Sequence, residues 1–186
     1  MSNKILVVVD MQNDFITGPL GTPEAREIVP KMADYIRERA AAGDTIWFTR
    51  DTHFDNYLYT AEGKKLPVEH CIHHTDGWQI ASELIDAYEE GTGHRNLLTF
   101  DKITFGSTEL IENLEWSVIY GAIGPDVEIE FCGVCTDICV VSNVLMTKAY
   151  LPEAKISVIE HLCAGVTPAA HIHAIETMKS CHIDII

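Results

Sequence analysis

The chain has 186 residues, enough for one well-buried domain and too few for two of ordinary size. Hydrophobic residues make up 47%, as in globular α/β proteins, and no apolar run approaches the ~18 residues that would cross a bilayer. A formal net charge of −15 argues against nucleic acid or an anionic membrane as partner, yet permits a small ligand in a locally positive pocket.

The N-terminus enters a strand at Lys4-Ile5-Leu6-Val7-Val8-Val9, which ends in Asp10-Met11-Gln12-Asn13-Asp14-Phe15. With no signal-like segment before it, the six cysteines read as reduced thiols of a cytoplasmic protein. Thr22-Pro23-Glu24 opens a helix whose apolar positions Ile28, Met32, Tyr35 and Ile36 keep helical spacing up to Gly43. A second strand is expected over 45–49. Residues 50–77 form a long polar segment with four His and three Tyr or Phe, which argues for a site in a loop.

A helix is expected over 78–90, a strand over 96–100, and a helix starting at Ser107. Residues 116–125 allow either an extension of that helix or a strand with a Gly-rich turn. A strand follows over 127–131 and a helix from about Asp137. Then come a strand over 156–159, a helix from Thr167-Pro168 to about Ser180, and a last strand over 182–186. Strands alternating with helices predict an α/β fold: a single domain over 1–186, three layers α/β/α, with a mostly parallel sheet. Ligands in such sheets bind at the C-terminal strand ends.

The chemistry centres on Cys132-Gly133-Val134-Cys135-Thr136-Asp137-Ile138-Cys139. Thr136 or Asp137 is placed to cap the helix, and Cys139 falls in its first turn, where free N–H groups and the helix dipole favour a thiolate. A strand, a sharp turn and a nucleophile at a helix N-terminus make a recurring device of covalent catalysis. The plain alternative is a small buried hydrophobe. Cys132-x-x-Cys135 also invites a redox or zinc-ribbon reading, but no second Cys pair accompanies it.

The Asp10-x-Gln12-x-Asp14-Phe15 context, Lys102 within Phe100-Asp101-Lys102-Ile103-Thr104-Phe105-Gly106-Ser107, and the turn ending in Cys139 together resemble the isochorismatase-like cysteine hydrolases, which include nicotinamidases. The resemblance implies a catalytic triad of Asp10, Lys102 and Cys139. It also implies an oxyanion hole from the backbone N–H groups of Cys135 and Cys139, with a cis peptide at Val134-Cys135. The chain departs from many nicotinamidases at Ile138, where His is common, and at Cys135, where a small residue is.

Nicotinamidases also carry an Asp-x-His after the second strand and a later P-x-H element, here Asp51-Thr52-His53 and Pro67-Val68-Glu69-His70. The match implies one divalent metal ion on Asp51, His53 and His70, with Glu62 as a further candidate and His73 and His74 as bystanders. Such N/O ligands suit Zn²⁺, and also Fe²⁺ or Mn²⁺. Phe15, Tyr57, Trp47 and Trp78 are aromatic candidates to sandwich a flat ring, and Val134 is a further substrate-binding candidate. The implied activity is hydrolysis of a small amide, nicotinamide to nicotinate and ammonia, in a homo-oligomer. Carbamoyl or ureido hydrolysis, and a catalytically silent binding relative, are the alternatives.

Overall fold

A computed structural model describes residues 4–94, 96–119 and 126–186. Its sheet has the strands β1 (Lys4–Val9), β2 (Thr45–Asp51), β3 (Leu98–Lys102), β4 (Glu128–Val134), β5 (Lys155–Ala164) and β6 (Asp184–Ile185). They lie in the order β3-β2-β1-β4-β5-β6, and every pairing among the described residues is parallel. The helices are α1 (Asn13–Ile16), α2 (Pro23–Ala41), α3 (Ser82–Thr92), α4 (Thr108–Ile119), α5 (Val141–Tyr150) and α6 (Pro168–Ser180). On one side α2 packs on α3, and on the other α5 packs on α4 and α6. This is the three-layer single sheet expected from alternating strands and helices.

The central strands are continuous apolar runs because both faces are covered: Ile5 to Val9 are all fully buried, as are Ile129, Phe131 and Cys132. Connections from β1 run toward the β3 edge, and those from β4 run toward the β6 edge. The order therefore reverses between β1 and β4, which opens a crevice at their C-terminal ends. There Gly133 takes φ 122°, and a Cβ at that position would overlap the Val9 backbone, so glycine lets β1 and β4 close up.

Several boundaries differ from expectation. The helix expected from residue 78 begins at Ser82, because Ile80 is first held in an antiparallel bridge to Gln12. The fifth strand runs to Ala164 by way of a register shift opposite Phe131–Gly133. Within 116–125, α4 extends to Ile119, and 120–125 lie outside the described residues. The helix after β4 begins as a wide π-turn over Thr136–Val140. Its N-cap is Cys135, without a side-chain cap bond, and Asp137 instead accepts from the Val166 N–H at 2.9 Å. The N-caps Thr22 and Thr167 do cap their proline-led helices, accepting from the Ala25 and Ala170 N–H groups. No helix of the described residues is long and apolar enough to cross a membrane.

Candidate active site

Asp10 follows the last residue of β1, Lys102 ends β3, and Cys139 lies in the turn after β4. The fold brings the three together. Lys102 Nζ stands 2.6 Å from Asp10 Oδ2 and donates to Cys139 Sγ at 3.5 Å, reaching across β2, where Asp51 Oδ1 lies 3.5 Å away. All three residues are buried. Burial would lower the Lys102 ammonium, but Asp10, Cys139 and Asp51 reverse this and raise it well above its ordinary value, so it stays charged. Burial lifts the Asp10 carboxyl against the pull of Lys102. Burial and the neighbouring Asp10 carboxylate drive the Cys139 thiol well up, and Lys102 offsets only part of that. Burial thus works against the thiolate that the helix start favours, and a buried thiol beside a carboxylate needs a base to take its proton.

Polar residues not singled out from the sequence hold this floor. The Thr49 hydroxyl donates to Asp10 Oδ1 at 2.6 Å and accepts from the Asp10 N–H at 3.2 Å, fixing a residue held at φ 50°. Gln12 donates to the Asp51 and Trp78 carbonyls and accepts from the Asp51 N–H, which ties the end of β1 to the end of β2. Asn143 on α5 donates to the Cys139 carbonyl and accepts from the Ser107 N–H. Gln12 sits inside the D-x-Q-x-D-F stretch, so a signal for it existed. Thr49 and Asn143 look like ordinary strand and helix positions.

The second constellation also converges. Asp51 Oδ2 lies 2.9 Å from His53 Nε2 and 3.3 Å from His70 Nε2, and the donor atoms of the three fall within 4.8 Å of one another. Glu62 stands back, at 3.7 Å and 3.9 Å from the two imidazoles. Burial would raise the Asp51 carboxyl, but His53, His70 and Lys102 hold it well below the usual range. His53 Nε2 is sealed from solvent without an aligned hydrogen-bond partner, and His70 Nδ1 pairs with the Val68 carbonyl at 2.8 Å, leaving Nε2 to face the cluster. Two imidazole nitrogens and a carboxylate, one nitrogen orphaned and the other oriented from behind, fit a divalent cation. Asp14 accepts from the Cys71 N–H at 2.7 Å and so anchors the chain beside His70. His73 and His74 stack with Phe54 and Trp78, apart from the cluster.

A cavity of about 630 Å³ opens above both groups, with Cys139, Asp51, His70 and Glu62 in its wall. Phe15 lines it, as do Cys135 and Ile138. Tyr57 and Val134 do not, which corrects the expectation of direct contact. Tyr57 is fully buried behind the two imidazoles, its ring 4.5 Å from His53 and 5.0 Å from His70, and Val134 is sealed at the strand end. Trp47 packs on Phe100 and Trp78 on Arg50, so neither belongs to the wall. The Val134–Cys135 peptide is cis, and the Cys135 carbonyl accepts from the N–H groups of Ile138 and Val140 on either side of Cys139. Cys132 is buried in β4 while Cys135 faces the cavity, both as free thiols, and burial pushes Cys135 up to about 12.

Known proteins resemble the chain over nearly its whole length. An uncharacterized isochorismatase family protein of Bacillus subtilis is 27% identical over 175 residues, 92% of each chain. A nicotinamidase/pyrazinamidase of Mycobacterium tuberculosis is 25% identical over 199 residues, covering 98% of each. The crystal structure of a pyrazinamidase of Pyrococcus horikoshii in complex with zinc superposes with a TM-score of 0.81 at 26% identity, over 100% of this chain and 99% of that one. The isochorismatase domain profile matches residues 4–186, the whole sheet and both constellations, and the chain belongs to that family.

Proposed function

We propose that this chain is a metal-containing cysteine amidohydrolase that converts nicotinamide to nicotinate and ammonia. The observation that carries the reading is the shared cavity: a buried Asp–Lys–Cys group and an Asp–His–His cluster open onto one space. The relatives named nicotinamidase or pyrazinamidase support the substrate class.

Asp10 takes the thiol proton from Cys139 as the sulfur attacks the amide carbon. The Lys102 ammonium holds the carboxylate in place and steadies the negative charge passing between oxygen and sulfur. The tetrahedral oxyanion meets the backbone N–H groups of Cys135 and Cys139, and one such donor is typically worth about 10²–10³ in rate. Asp10 then gives its proton to the departing ammonia, leaving a thioester. Water, deprotonated by Asp10, hydrolyses the thioester, and Cys139 regains its proton.

Asp51, His53 and His70 would hold one divalent ion, Zn²⁺ ahead of Fe²⁺ or Mn²⁺ given the zinc in the Pyrococcus horikoshii relative, with Glu62 reaching it directly or through water. The bound ion supplies a Lewis-acid anchor for the ring nitrogen. Phe15 flanks the ring from the wall. The test is ammonia release by purified protein from nicotinamide, pyrazinamide and a carbamoyl or ureido panel, with and without prior chelation. Chelator-sensitive release from the ring amides is expected. Release only from the carbamoyl compounds, or from none, would overturn the assignment.

A further inference from the structure

The cavity above the catalytic floor is larger than a single-ring amide needs. At about 30 Å³ of liquid volume per water, a space of about 630 Å³ has room for roughly twenty waters, and a single-ring amide fills only a fraction of it. The remainder is walled chiefly by apolar side chains. Leu66, Ile103, Phe105 and Val166 are 37%, 68%, 47% and 49% exposed, and all four line this cavity, as does Ile138, which precedes Cys139 in the chain.

Apolar side chains left in water are commonly loose, but three of these are held by their backbones. The Phe105 carbonyl accepts from Asn143 Nδ2 at 3.3 Å, in a loop also pinned at the Ser107 N–H. The Val166 N–H donates to Asp137 at 2.9 Å, and the Leu66 carbonyl accepts from the Tyr57 hydroxyl at 2.9 Å. Asn143 and Asp137 lie within a few residues of Cys139, and Tyr57 packs on both imidazoles. The rim is thus tied to the same groups that shape the floor. Together with Ile138 these side chains make an apolar collar on the cavity that holds the Cys139 thiol.

We infer that the collar of Leu66, Ile103, Phe105, Ile138 and Val166 selects ring amides that carry an apolar substituent remote from the amide, and that these are better substrates than the plain ring. The inference rests on the amidohydrolase reading and goes beyond it in substrate class. A substituent entering the collar exchanges ordered water for carbon, and a single added methylene in an apolar pocket is worth about tenfold or more in discrimination. The gain belongs in KM, because the collar would take up a substituent that does not itself react.

The test is steady-state hydrolysis, by the metal-loaded full chain, of nicotinamide and its 5- and 6-substituted butyl and phenyl derivatives. At least one extended amide should exceed nicotinamide in kcat/KM by about tenfold, through a lower KM. Phe105→Ser and Val166→Ser should each cut the extended-to-plain ratio at least fivefold. That ratio is internal to each preparation, so a partly unfolded variant does not distort it. If nicotinamide turns over and no extended amide does better, the collar inference falls and the amidohydrolase reading stands. If no amide turns over, both fall. An unchanged ratio in the variants with an altered sedimentation coefficient would overturn the inference too, making the collar a contact between copies of the chain.

Discussion

At the scale of the residue, the proposed chemistry divides between Cys139 and Asp10. Cys139→Ala removes one sulfur from a buried position, so stability should fall by only about 1 kcal/mol while turnover disappears. Thermal unfolding and ammonia release on the same preparation check this, and activity above a few per cent of the parent would move suspicion to Cys135. Asp10→Asn separates two roles. Asn tolerates the positive φ that Asp10 adopts, so the backbone should hold. The Asp10 carboxylate raises the thiol, so its loss should shift alkylation of Cys139 to lower pH. Hydrolysis should nonetheless fall by about 10²–10⁴, because nothing carries the proton to ammonia. An alkylation profile that stays put would show that Asp10 does not govern the thiol, and one that moves up would show that the carboxylate favours the anion instead.

At the scale of the element, the wide turn over Thr136–Val140 matters because it must present Cys139 to residues from two other strands. Asn143, one turn into the following helix, binds the Cys139 carbonyl at 2.8 Å and the Ser107 N–H at 2.9 Å. It thereby couples the nucleophile turn to the start of α4. Asn143→Ala leaves the Ser107 N–H without this buried acceptor, so unfolding free energy should drop by about 1–3 kcal/mol in a urea titration. Activity should drop with it, through kcat, since the turn loses its brace. A variant as stable and active as the parent would show that the turn holds itself.

At the scale of the whole molecule, the long segment between β2 and α3 closes on itself at the candidate metal site. His53 leaves the end of β2, and His70 returns to meet it beside Asp51. An ion held there should stabilise the folded chain by mass action: about 2.7 kcal/mol at a hundredfold excess over Kd, or roughly 5–10 °C in Tm at this chain length. Chelation should therefore lower Tm and weaken substrate binding while leaving Cys139 open to alkylation. Metal analysis of protein purified without chelator should find one divalent ion per chain. No ion above background, with melting indifferent to chelator, would remove the metal from the assignment.

Much of this was legible locally. The apolar runs of Lys4–Val9 and Thr45–Asp51, the proline-led helices after Thr22 and Thr167, and the motifs around Asp10, Lys102, Cys139 and Asp51–His53 are short-range patterns, which a chain carries whatever its partners. What only the tertiary structure decided is which of those pieces meet. The reversal of strand order between β1 and β4 sets Asp10 beside Cys139, and parallel register, fixed by burial of both sheet faces, brings Lys102 across β2 to them. Tyr57, an aromatic in a polar loop, could equally have faced a ligand or backed one. Packing against His53 and His70 settled it behind them. The surroundings of the thiol were decided there too, because a helix start favours the anion, whereas burial beside Asp10 favours the proton, and only the folded chain brings the two together.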